Sequence, residues 1–104
     1  MNAQEKKLEA LLKKVIIYKG MKNVTVYMGP MCAFCDAAKR LLVRNKISYK
    51  EINIAIEDGK MDEMLSKANG KKTIPQIFFD EYHVGGFEEL RALEKNGELL
   101  NLLK

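Results

Sequence analysis

Tryptophan is absent from this sequence, histidine occurs once (His83), and only two cysteines are present among 104 residues. Two cysteines cannot build a disulfide framework, so the fold must rest on an apolar core. One histidine and two cysteines also fall short of the four protein ligands of a structural zinc site. Long apolar runs are missing as well. Val15-Ile16-Ile17-Tyr18 is the longest near the N-terminus, too short for the apolar region of a secretory signal or for a membrane span. A reducing, cytoplasmic setting without a membrane partner is therefore expected. There, a close cysteine pair is more often catalytic or metal-binding than structural.

Charge of one sign is scarce over most of the chain. The net charge is +4, but residues 1–20 hold five lysines (Lys6, Lys7, Lys13, Lys14, Lys19) against Glu5 and Glu9. That segment is +3, which leaves the other 84 residues at +1. A basic excess confined to one short segment reads as a solvated helix face, and no nucleic-acid partner is expected. Hydrophobic residues make up 47% and charged residues 31%, a balance that suits one soluble domain with a single core.

Hydrophobic spacing orders the chain. Leu8, Leu11, Leu12, Val15 and Ile16 form one stripe and predict an amphipathic helix over 4–16. Gly20 breaks it, which divides the chain into an N-terminal helical extension, 1–20, and a domain, 21–104. Val24-Thr-Val-Tyr-Met28 is β-branched and aromatic, hence a strand ended by Gly29-Pro30. Residues 33–46 predict a helix that buries Ala37, Ala38, Leu41 and Leu42. Residues 47–54 predict a strand, and 57–68 a helix closed by Asn69-Gly70. Strands at 75–79 and 82–84 flank an Asp80-Glu81 turn. Helices at 87–95, stopped by Asn96-Gly97, and at 98–103 complete the chain. After the first helix the order is β-α-β-α-β-β-α. This predicts an α/β fold in which a four-stranded mixed sheet carries helices on both faces.

Cys32-Ala33-Phe34-Cys35 follows the first strand and opens a helix. Backbone N–H groups at a helix start lack intrahelical partners, and the helix dipole is positive there. A sulfur resting on those donors is stabilised as the thiolate that attacks disulfides. The dipole supplies about 0.3–2 kcal/mol, roughly 0.2–1.5 pKa units. Cys32 lies at the exposed edge and Cys35 one turn deeper, so Cys32 should attack and Cys35 resolve. Half of a zinc site is the competing reading of the pair. No second pair exists to complete one.

Three motifs occur in order: Cys32-Ala-Phe-Cys35, Thr73-Ile74-Pro75 and Gly85-Gly86-Phe87-Glu88. With the strand order, they make residues 23–104 resemble a dithiol glutaredoxin of the thioredoxin superfamily. The resemblance implies a glutathione-dependent thiol–disulfide oxidoreductase acting on protein disulfides and glutathione mixed disulfides, with Cys32 and Cys35 catalytic. It places Phe34, Thr73, Ile74, Pro75, Gly86, Phe87 and Glu88 around glutathione. Pro75 would be cis and face the Cys32 sulfur. Ile74 would pair with the glutathione backbone as an added strand. Gly85 and Gly86 would admit the γ-glutamyl end, the N–H groups of Phe87 and Glu88 would hold its carboxylate, and the Glu88 side chain would face its ammonium.

The sequence departs from the family at two positions near the cysteines. Ala33 stands where the family usually carries proline. Gly29 stands where it often carries a lysine that meets the glutathione glycyl carboxylate and the thiolate. Lys60, Lys71 and Lys72 are the candidates to replace it at the carboxylate. Phe87 stands where relatives often have a further cysteine. Thioredoxin itself would show Trp-Cys-Gly-Pro-Cys, and a thioredoxin partner protein would lack the Thr73 and Gly85-Gly86 motifs. The alternative from another class is a carrier of a [2Fe–2S] cluster, ligated by Cys32 of two chains and two glutathione thiols. Ala33 favours it by loosening the loop. An interaction-only module rests on the N-terminal helix alone. As an oxidoreductase, the protein is expected to be a monomer whose partners are glutathione and glutathionylated or disulfide-containing proteins.

Overall fold

The computed structural model describes residues 21–104, and the helix expected over 4–16 lies outside the described residues. The elements are β1 (Val24–Met28), α1 (Ala33–Arg44), β2 (Lys50–Asn53), α2 (Lys60–Lys67), β3 (Gln76–Phe79), β4 (Tyr82–Gly85), α3 (Phe87–Lys95) and α4 (Leu99–Leu103). They form the expected four-stranded mixed sheet, in the order β2-β1-β3-β4. β1 and β2 are parallel, whereas β3 runs antiparallel to both β1 and β4.

Side-chain alternation along the two central strands divides the core. Val24 and Val26 of β1 and Ile77 and Phe79 of β3 face α1, α3 and α4, where they meet Ala38, Leu41, Leu42, Leu90, Leu99 and Leu103. Tyr27 and Phe78 face the other side and pack with Ile52, Met64 and Ala68. Every residue of β3 is buried. Fully burying a large apolar side chain contributes about 1.5–3 kcal/mol, so both layers are needed to hold so small a domain. The Tyr27 hydroxyl donates to the Glu63 carboxylate at 2.6 Å and ties α2 to β1.

Three boundaries differ from the sequence reading by two residues or more, each for a local reason. α1 ends at Arg44 because Lys46 takes a left-handed conformation (φ 58°). The amides of Lys46 and Ile47 then bond back to the carbonyls of Val43 and Leu42, a Schellman closure. Ile47 is therefore spent on the helix cap, and β2 begins only at Lys50. α2 starts at Lys60 rather than residue 57 because the Glu57 carboxylate accepts from the Asn53 amide (2.6 Å), while Asn53 Oδ1 accepts from the Ala55 amide (2.9 Å). Asn69 and Gly97 close α2 and α3 with the same left-handed geometry, as their sequence signals indicate.

Glu94 joins α3 to the end of α1. Its carboxylate accepts from Arg44 Nε (2.9 Å) and Nη2 (2.7 Å) and from Asn45 Nδ2 (2.6 Å). These bonds, Arg44 foremost, lower its pKa to about 2. A carboxyl with a depressed folded-state pKa stabilises the fold above its unfolded value and loses that contribution as pH falls through the folded one. Thermal melts should therefore show Glu94→Gln modestly less stable than wild type at neutral pH, with the two midpoints converging toward pH 2. A gap that stays constant down the acid range would refute the linkage.

Candidate active site

The β1–α1 turn sets the first cysteine on a helix end. Met31 adopts φ 53° and is fully exposed, and Cys32 becomes the N-cap of α1 in extended geometry. Its sulfur accepts from the Cys35 amide at 3.1 Å, so it sits on an otherwise orphaned donor at the positive end of the dipole. Cys35 is completely buried, whereas Cys32 is half-buried. The two are joined as a disulfide with Cα atoms 5.2 Å apart. The exposed sulfur thus belongs to Cys32, and Cys35 waits one turn inside.

A second loop faces this sulfur. The Ile74–Pro75 peptide is cis, and the Ile74 carbonyl oxygen lies 3.7 Å from Cys32 Sγ. Ile74 also fills the space above the first turn: a Cβ placed on Gly29 would come within 2.9 Å of Ile74 Cδ1. The absence of a side chain at position 29 is therefore matched by an isoleucine at position 74.

Beside the cis-proline loop lies a cleft of about 190 Å³. Phe34, Thr73, Ile74, Pro75, Gly86, Phe87 and Glu88 all line it, residues from three separate segments that the family resemblance places around glutathione, whereas Gly85 is outside the lining. The Phe34 and Phe87 rings stack at 6.1 Å and join the starts of α1 and α3. Gly86 caps α3 without a side-chain hydrogen bond, so the first amides of that helix keep their donors. Of the glycine pair, Gly85 is the one whose backbone requires glycine, with φ 115°; the Gly86 backbone is extended and open to any residue.

The lysine candidates separate. Lys71 lines the cleft. Lys60 does not, and its ammonium pairs with Glu63 at 3.1 Å. Lys72 is exposed but outside the lining. A wider hollow of about 520 Å³ lies at the far end of β1, near Lys22, Ile47 and Tyr49, away from both cysteines. Among the described residues no group of three or more His, Cys, Asp and Glu side chains could hold a metal ion, and no helix is long and apolar enough to cross a membrane.

Sequence reasoning overlooked two cleft residues, Gln76 and Glu89. Glu89 reaches back over the glycine pair, and a Cβ on Gly85 would meet its carboxylate group at about 3.0 Å. Gln76 is a polar residue only 2% exposed, and it is the one buried residue of polar or charged type among those described. Its signal was available: a glutamine interrupting an otherwise apolar strand directly after Pro75 must find partners inside.

Comparison with known proteins agrees with this arrangement. A sequence model of the glutaredoxin family matches residues 24–84. Glutaredoxin 3 of Escherichia coli is 42% identical over 84 residues, covering 81% of this chain and all of that protein. The solution structure of a Brucella melitensis glutaredoxin is 40% identical, with a TM-score of 0.71 over 82% of this chain and 91% of that one. A dithiolic glutaredoxin from Trypanosoma brucei brucei is 29% identical, with a TM-score of 0.69 over 86% of this chain and 93% of that one.

Proposed function

Since this chain belongs to the glutaredoxin family, and so is a thiol–disulfide oxidoreductase, we propose that glutathione is its reductant and that it acts on glutathionylated and disulfide-bonded proteins. The observation that carries this reading is the half-buried Cys32 sulfur on the α1 N-terminus, 3.7 Å from the Ile74 carbonyl beside the cleft. In the monothiol route the Cys32 thiolate attacks the glutathione sulfur of a mixed disulfide. A Cys32–glutathione disulfide forms, and the target leaves as a thiolate that takes a proton from water. The thiolate of a second glutathione then attacks the bound glutathione sulfur. Glutathione disulfide departs and the Cys32 thiolate returns. In the dithiol route Cys32 attacks a protein disulfide, and the Cys35 thiolate displaces the target from Cys32. The resulting Cys32–Cys35 disulfide is the form described above, and two glutathiones reduce it.

Glutathione would lie along the cleft with its cysteinyl backbone paired to Ile74 as an added strand. Its γ-glutamyl carboxylate would rest on the first amides of α3 and its ammonium near Glu88, with Phe34 and Phe87 as the apolar wall. Lys71, which lines the cleft, would meet the glycyl carboxylate in place of the missing lysine at position 29. A [2Fe–2S] cluster would need the single accessible sulfur of each of two chains and two external thiols, and Ala33 is its sole support at this site. The reaction is assigned to a monomer in the cytoplasm, with residues 1–20 outside the chemistry.

An assay coupled to glutathione reductase and NADPH, with a glutathionylated peptide as substrate, tests the proposal. Turnover should saturate with peptide and depend on glutathione, and a protein beginning at Met21 should keep most of it. A folded full-length protein that ignores glutathione would sink the reading. A folded Met21 protein without activity would return the first twenty residues to the site.

A further inference from the structure

The buried amide of Gln76 is fully partnered, and its partners fix a proton elsewhere. Its Nε2 donates to the Thr73 carbonyl oxygen (2.9 Å) and to Thr73 Oγ1 (3.0 Å). Its Oε1 lies 2.7 Å from His83 Nε2. A backbone carbonyl can only accept, so the amide nitrogen must be the end that faces Thr73. The amide oxygen therefore faces the imidazole, and His83 Nε2 must carry the hydrogen and donate it. Packing holds the ring in position for that bond. It stacks on Phe78 at 4.7 Å and 18°, its cross-strand partner in a ladder that is irregular between Ile77 and Phe78. Burial, with Lys71 nearby, lowers the His83 pKa, which keeps the ring neutral near pH 7.

The consequence appears at the cleft. Thr73 Oγ1 already accepts from Gln76, so its own hydrogen is free to point outward as a donor. Among the described residues Thr73 takes its hydrogen bonds from Gln76 alone. The loop leading to Ile74 and Pro75 is thus oriented by one buried side chain, which is itself oriented by one imidazole. We infer that Gln76 and His83 are positioning residues that hold Thr73 as an outward hydrogen-bond donor to the peptide lying in the cleft. Neither touches the reacting sulfur. They act through Thr73 on binding, and the inference rests on the glutathione reading above.

The test uses the full chain with His83→Phe, His83→Gln and Gln76→Leu. His83→Phe keeps an aromatic ring on Phe78 but removes the donor, whereas His83→Gln supplies a donor again. For a glutathionylated peptide, His83→Phe and Gln76→Leu should raise KM about five- to tenfold, the scale of one hydrogen bond to a polar group. Their kcat and the midpoint of Cys32 thiolate formation should stay at wild-type values. His83→Gln should return KM to within about twofold of wild type, because the amide recovers its donor. A purely structural role would instead move kcat and the thiolate midpoint, or leave KM alone, and either result overturns the inference. Should Gln76→Leu not fold, nitrogen-15 shifts of the single histidine ring in the wild-type protein decide: a proton on Nε2 supports the network and one on Nδ1 refutes it. If the wild-type protein turns over no glutathione substrate, the functional reading falls first, and the role given to Thr73 falls with it.

Discussion

Cys32→Ser is expected to reduce every thiol-exchange activity of this protein to background, while Cys35→Ser is expected to separate the two activities proposed for wild type. The expectation follows from depth. Cys32 is the half-buried sulfur at the N-cap of α1, seated on the Cys35 amide at 3.1 Å, whereas Cys35 is completely buried one turn further in. An incoming disulfide can reach only the first. A serine hydroxyl at position 32 keeps the cap but is not ionised at neutral pH, so the nucleophile is lost with little change in fold. Removal of glutathione from a protein needs that one nucleophile, since a second glutathione resolves the Cys32 intermediate. Cys35→Ser should therefore keep deglutathionylation near wild-type rates. Reduction of a protein disulfide should fall by roughly tenfold or more, because an internal thiolate resolves at an effective concentration that free glutathione cannot match. Parallel assays with a glutathionylated peptide and with a disulfide-bonded protein substrate read the two outcomes. A Cys35→Ser protein that loses deglutathionylation while Cys32→Ser keeps it would reverse the assignment of nucleophile.

The parts of this molecule that were legible in its sequence are those written in local pattern. β1 and β3 read as strands from β-branched and aromatic content, and the β-α-β-α-β-β-α order permits few sheets, so the mixed four-stranded topology followed. Asn69 and Asn96-Gly97 announced two helix ends because asparagine and glycine tolerate the left-handed backbone. The third end carried no such mark. Lys46 adopts φ 58° there, held by packing of Ile47 against the core, and the sequence reading ran both α1 and β2 into the cap. Tertiary packing set that boundary, which no propensity shows.

The site divides in the same way. Its motif residues were found because each motif is contiguous, and the fold then brought all three together. Gln76 was missed because one of its two partners, His83, lies on the next strand and reaches it only through the β3–β4 pairing. The lysine question had the same character. Lys60, Lys71 and Lys72 were equivalent as letters, and only the ion pair to Glu63 and the lining of the cleft told them apart.

Replacing Gly29 by the lysine that the family often carries should not reproduce the family's site, because Ile74 stands in the way. A Cβ on Gly29 would approach Ile74 Cδ1 to 2.9 Å, closer than two carbons tolerate, and one of them must move. The atom to give way is a side-chain methyl, but the residue bearing it has its carbonyl 3.7 Å from Cys32 Sγ and offers the backbone proposed to pair with glutathione. Gly29→Lys alone should therefore raise KM for a glutathionylated peptide and lower the melting temperature. Ile74→Val removes the offending methyl and leaves the backbone free to keep its place. In the double variant, Gly29→Lys with Ile74→Val, KM should recover and the new ammonium should lie near the sulfur. Titration of thiolate absorbance in a Cys35→Ser background should then find the Cys32 midpoint lower than in the Gly29 protein by roughly half a unit to one unit, the effect of about 1 kcal/mol from a solvated cation. An unmoved midpoint in a double variant with restored KM would mean that position 29 does not face the thiolate. A single variant that binds as well as the double would mean that Ile74 yields without cost, and the pairing of Gly29 with Ile74 would carry no constraint.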